Sequence, residues 1–139
     1  MQAPPNTRRE FIYKDRDELL ESLAFWQSVL RLQDWTIDVR QVRGNGLNMV
    51  SDSVGRCRPV LTNKMATIGI IDPVDYDPEC SFPLDQEWLL VHELLHLHLE
   101  PIAPDVNSPL NFCTEQALES ITCGLISLKK LVDKTNTLI

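Results

Sequence analysis

Residues 87–100 read Glu-Trp-Leu-Leu-Val-His-Glu-Leu-Leu-His-Leu-His-Leu-Glu. Inside them lies His92-Glu93-Leu94-Leu95-His96, an H-E-x-x-H pattern. Helix positions i and i+4 share a face, so His92 and His96 can offer two imidazole nitrogens to one metal ion. Glu93, beside the first histidine, is the candidate catalytic base toward a water on that metal. With 3 His and 9 Glu in 139 residues, random placement produces the pattern in roughly 0.4 per cent of such chains. Two histidines and a glutamate on a helix rich in Leu and Val are also costly to bury without a partner.

The flanks define a helix. Asp85 is the candidate N-cap and Glu87 falls in the first turn, where negative charge suits the helix dipole. Leu89, Leu90, Val91, Leu94, Leu95, Leu97 and Leu99 surround it on most sides, which predicts a helix at the centre of the fold. Pro101 ends it. Three prolines between 101 and 110 make a connector. A last helix follows from near Ser108-Pro109 or Asn111 to about Asp133, with Lys129, Lys130 and Lys134 suiting its C-terminal end.

Upstream, residues 1–10 read as a loose polar leader. Asp15 or Asp17 then caps a helix running to about Gln33, with Leu19, Leu23, Trp26 and Leu30 at helical spacing. Trp35 to Arg43 alternates apolar and polar, the pattern of a half-buried strand. Gly44-Asn45-Gly46 is turn material. Val54–Leu61 is a second strand, and Pro59 favours an edge or an end for it. Asn63-Lys64 turns the chain into a third strand, Met65–Ile71. Residues 72–84 form an acidic loop whose spacing fits no EF-hand. The order predicts one α+β domain: helix, small three-stranded twisted sheet, motif helix, C-terminal helix.

Composition narrows the classes. A net charge of −7 argues against a broad nucleic-acid surface, and Arg40, Arg43, Arg56 and Arg58 read as solvated strand ends. Cys57, Cys80, Cys113 and Cys123 contain no C-x-x-C pair. No segment has signal or membrane-spanning length. The expectation is a cytoplasmic setting with free thiols and no membrane partner.

A catalytic zinc takes three protein ligands and keeps one place for water. His98, the one remaining histidine, lies about 200° from His96 around the helix and faces away. The third ligand is therefore a carboxylate or thiolate, from Glu100, Asp105, Cys113, Glu115, Glu119, Cys123 or Asp133. Glu115 and Glu119 stand four apart on one helical face, where they repel unless a cation lies between them. For Cys113 the favoured reading is a buried free thiol.

His92-Glu93-Leu94-Leu95-His96, followed 19 residues later by Glu115-Gln116-Ala117-Leu118-Glu119, resembles the gluzincin group of zinc metallopeptidases. Val-His-Glu-Leu-Leu-His-Leu and Glu-Gln-Ala are similar, more narrowly, to small ImmA/IrrE-type and phage- or prophage-borne zincin domains. The resemblance implies Zn2+ held by His92, His96 and Glu115, with Glu93 as base and Glu119 supporting His92. It implies a zincin-like fold whose edge strand receives an extended protein or peptide substrate, and Met65–Ile71 is the candidate strand. The metzincin pattern is out, because Leu99 and Ile102 replace its glycine and histidine. Larger gluzincins steady the oxyanion with a His or Tyr beyond the motif. None follows residue 98 here, so either Tyr76 is the candidate or the chain has no such group. Two other functions compete: a zincin-fold binding module with a structural metal, and a hydrolase of a non-peptide amide.

Overall fold

The computed structural model describes residues 9–44 and 54–137. Its elements are α1 (Arg16–Val29), β1 (Thr36–Val42), β2 (Gly55–Val60), β3 (Met65–Ile71), α2 (Gln86–Leu99) and α3 (Pro109–Thr137). This is the α+β, zincin-like arrangement that the sequence predicts. The predicted turn at Gly44-Asn45-Gly46 lies mostly outside the described residues.

Each boundary has a local cause. Asp15 caps α1 by accepting a hydrogen bond from the Glu18 amide at 2.8 Å. The helix ends at Val29, earlier than Gln33, because the chain reverses at Arg31, whose φ is 62°. Asp85 caps α2, accepting from the Trp88 amide at 3.0 Å. Pro101 ends that helix within a 3-10 turn, Glu100–Ile102. α3 continues about a turn beyond Asp133, to Thr137.

The sheet order is β1-β3-β2, with β3 parallel to β1 and antiparallel to β2. This corrects one expectation: Met65–Ile71 is the central strand, not the edge. Its Ile68, Gly69, Ile70 and Ile71 are all buried, as a strand with neighbours on both sides requires. Pro59 had pointed to the right edge. The amide of Ile71 bonds the Val54 carbonyl at 2.9 Å, and the register pairs Gly55 with Ile70. The backbone groups of Gly55, Cys57 and Pro59 therefore face away from β3. At such a position a proline forfeits no ladder hydrogen bond.

α2 packs on the sheet face that carries Val39, Ile68 and Ile70, with α1 and α3 on its other sides. Leu90, Val91 and Leu94 are fully enclosed, which accounts for a helix apolar nearly all round. Its first turn is tied to the start of the chain. The Phe11 amide bonds the Leu84 carbonyl at 2.9 Å, and the Gln86 amide bonds the Phe11 carbonyl at 2.8 Å. The Arg9 amide reaches Asp85 at 3.3 Å, so the described end of the expected leader is anchored.

Glu87 is buried among three donors. Trp26 Nε1 donates to it at 3.0 Å, the Arg9 guanidinium at 3.2 Å, and Lys129 Nζ stands 3.7 Å away. One carboxylate thus joins α1, α2, α3 and the N-terminal segment. Glu87→Ala is expected to cost about 2–4 kcal/mol, because the indole N–H and two cations lose their acceptor together. The check is a lower urea midpoint with an unchanged m-value.

Candidate metal centre

His92 and His96 project from one side of α2, one turn apart, with ring centroids 5.1 Å from each other. Trp88, one turn before, stacks on His92 at 5.3 Å and fixes the ring plane. α3 brings its first turns alongside. There the Glu115 carboxylate spans both imidazoles, Oε2 lying 3.2 Å from His92 Nε2 and Oε1 3.1 Å from His96 Nε2. One ligand atom from each of the three residues falls within 4.8 Å of the others. Tetrahedral zinc with bonds of 2.0–2.1 Å separates its ligands by about 3.3 Å, so this donor set fits a metal ion.

The charges behave accordingly. Hydrogen bonds from His92 and then His96 hold the Glu115 carboxyl far below the ordinary carboxylate range. Burial opposes charge on His96, but the hydrogen bond to Glu115 and the nearby carboxylates Glu93, Glu115 and Glu100 raise it overall. Two imidazoles thus crowd one carboxylate where a divalent cation would satisfy all three.

Glu119 sits one turn deeper, its Oε1 3.9 Å from His92 Nδ1. That nitrogen is buried and has no hydrogen-bond partner. With Nε2 directed at the metal position, Nδ1 carries the proton and needs an acceptor. Glu119 is on the correct side to be one.

Glu93 is buried and points toward β2. Burial raises its pKa, the charges of His92 and His96 pull it down, and Glu115 raises it further. A Cβ added at Gly55 would stand 3.0 Å from Glu93 Oε1. The edge strand approaches the carboxylate this closely because position 55 has no side chain. Sequence reasoning passed over Gly55, although a glycine inside a strand pattern is the ordinary signal of a close approach.

The site opens into a cleft of about 740 Å³, lined by residues of β2, α2, the 101–106 connector and α3. Cys57 faces it, its thiol pushed up to about 12 by burial and then by Glu93 and Glu100. Glu100 and Asp105 stand on its rim and are not in the ligand cluster. Cys113 is exposed, not buried, Cys123 is half-buried, and none of the four cysteines is in a disulfide. His98 turns away and meets the Leu30 carbonyl at 2.6 Å. Tyr76 is not brought to this cleft. Its hydroxyl donates to the Phe82 carbonyl at 2.6 Å and the ring lines a small neighbouring pocket.

His92, Glu93, His96 and Glu115 thus match a gluzincin-type H-E-x-x-H…E metal-binding motif on a zincin-like fold. No family model, no curated protein and no solved structure matches this chain. Among the described residues, no helix is long and apolar enough to cross a membrane.

Proposed function

We propose that this chain is a zinc-dependent metallopeptidase acting on a protein or peptide held along β2. The observation that carries the reading is the Glu115 carboxylate set between two Nε2 atoms, with the buried Glu93 carboxylate beside them. His92, His96 and Glu115 would hold a zinc ion, which when bound would supply a Lewis acid and lower the pKa of a water on it to about 7. Glu93 would accept a proton from an attacking water in the cleft and return it to the leaving amine. Its enclosure against Gly55 keeps the carboxylate from competing solvent and fixes its direction. Glu119 accepts the Nδ1–H of His92 and holds that ring in the metal-binding tautomer.

β2 supplies the substrate platform. The outward N–H and C=O groups of Gly55 and Cys57 can bond an extended peptide as an added strand. Pro59 offers a carbonyl and no N–H, so donation to the peptide ends there. Four cysteines with no disulfide among them suit a reducing, cytoplasmic setting.

One observation favours the alternative, a zincin-fold binding module. Among the described residues lining the cleft there is no tyrosine, and no histidine besides the two ligands, to steady an oxyanion. A single experiment separates the readings. Metal-stripped protein is reloaded with zinc and incubated with a random peptide library, and the fragments are identified by mass spectrometry. Cleavage that chelation abolishes and zinc restores supports the peptidase. Metal binding without any fragment supports the module.

Either reading makes the metal a ligand of the native state. At a free zinc concentration 100 times Kd the stabilisation is about 2.7 kcal/mol, roughly 5–15 °C in Tm for a chain of this size. Chelation is expected to lower the melting temperature by that order while leaving a cooperative transition, since the sheet and helices have their own core. A melting curve that does not move after verified metal removal would contradict the site.

A further inference from the structure

The ligand face of α2 continues past the histidines on both sides. Trp88, His92, His96 and Glu100 follow one another at four-residue steps and form a single ridge along the helix. Glu100 belongs to the ridge although α2 ends at Leu99, because it keeps helical backbone angles and its amide bonds the His96 carbonyl. All four residues line the cleft. The histidines hold the middle, with an indole one turn before them and a carboxylate one turn after, about 6 Å along the axis each way.

The carboxylate end is the acidic one. Asp105 joins Glu100 there, from the connector that walls the cleft. Among the described residues, neither side chain has a hydrogen bond or a salt bridge. Glu87, Asp38, Asp75 and Asp34 each have a basic partner. The metal centre has no need of the pair, since Glu93, Glu115 and Glu119 already offset the charge of a divalent cation. Among the described residues, Arg56 is the one Lys or Arg lining the cleft. It pairs with Gly69 and so alternates to the sheet face opposite Gly55 and Cys57. A separate observation marks the cleft as a place for a ligand. Glu93, only 7 % exposed, lines it and has no hydrogen bond among the described residues.

β2 sets the direction in which a chain would lie. Val54 is beside Trp88 and Leu89, Gly55 beside Glu93, and Cys57 close enough to feel the charges of both Glu93 and Glu100. β2 and α2 therefore run the same way. An extended chain added antiparallel to β2, the more stable pairing, enters over Glu100 and leaves over Trp88.

We propose that the cleft selects a basic segment, with a Lys or Arg within two residues on the N-terminal side of the cut bond lying against Glu100 and Asp105. This rests on the reading of the cleft as a peptidase site. Side chains on one face of an extended chain are about 6.5 Å apart, which matches the step from His96 to Glu100. The net charge of −7 draws the same kind of chain from solution.

Two fluorescent peptide pools test this, identical and neutral except for lysine or glutamate at one central position. Binding is read by anisotropy on the zinc-loaded Glu93→Gln chain, which is expected to leave the peptides nearly uncut during the measurement. The lysine pool should bind roughly tenfold more tightly. Glu100→Gln and Asp105→Asn should each shrink that ratio with circular dichroism and zinc content unchanged, and Glu100→Lys should invert it. The zinc-loaded parent should cut the lysine pool within two residues on the carboxyl side of the lysine. Equal binding of the two pools, binding of neither, a ratio that Glu100→Lys does not move, or cuts placing lysine on the C-terminal side would overturn the proposal. A lysine preference in binding without any cut defeats the peptidase reading and leaves the recognition of the cation standing. Cuts without the preference do the reverse.

Discussion

Zinc-loaded Glu93→Gln is expected to hold its metal as tightly as the parent and to turn substrate over about 10²–10⁴-fold more slowly. Glutamine keeps the length, the planarity and the hydrogen-bonding capacity of the side chain, so the contact with Gly55 and the packing of α2 survive. What disappears is the capacity to accept a proton. The metal ligands are untouched, because Glu93 belongs to none of the three positions that converge on one point. Two measurements on the same preparation settle the outcome: metal content by elemental analysis, and cleavage rate on a peptide identified from the library. Parental turnover in the variant would sink the catalytic reading. Loss of metal with loss of turnover would instead make Glu93 a structural part of the site.

Glu115→Ala is expected to lower zinc affinity by roughly 10³-fold or more, and Glu119→Ala by about 10–100-fold. The difference follows from position. Glu115 reaches the Nε2 atoms of both histidines at 3.1–3.2 Å, where a metal takes its ligands. Glu119 faces the far nitrogen of His92, at 3.9 Å. Removing the first takes away a bond and a charge from the metal. Removing the second leaves His92 free to choose its tautomer and tilt. Two carboxylates binding together would fill the tetrahedron and leave no place for water. A competitive zinc titration against a chromophoric chelator reads both variants, and the reverse order of affinities would exchange the two roles.

The helices were legible because their signals are local. Asp85, the apolar residues about His92 and Pro101 delimit α2 within a few residues, and the same carboxylate spacing that resembles a gluzincin brings Glu115 onto both histidines. The sheet order was not legible. Strands β1 and β2 are joined through β3, and no short-range pattern records that β3 enters between them. The apolar run Met65–Ile71 already carried the answer in one respect, since a strand buried on both faces belongs inside a sheet. Pro59 carried the other half. Glu87 escaped because a glutamate in the first turn of a helix is adequately explained by the dipole. Its burial depends on Arg9, Trp26 and Lys129, drawn from three distant parts of the chain. Arg31 ended α1 early without a glycine or proline to announce it.

The β1-β3-β2 order has a consequence for how the molecule comes into being. As the chain leaves the ribosome, β1 and β2 have no partner in each other, and both wait for residues 65–71 to close the ladder. The two histidines follow on α2, and the third ligand only on α3. Until Glu115 emerges, a nascent chain offers zinc two ligands instead of three, and free metal has little hold on it. On the proposed reading, loading therefore waits for the docking of α3. A stalled chain ending before residue 115 should carry the sheet and α2 and yet retain no zinc through a gel filtration.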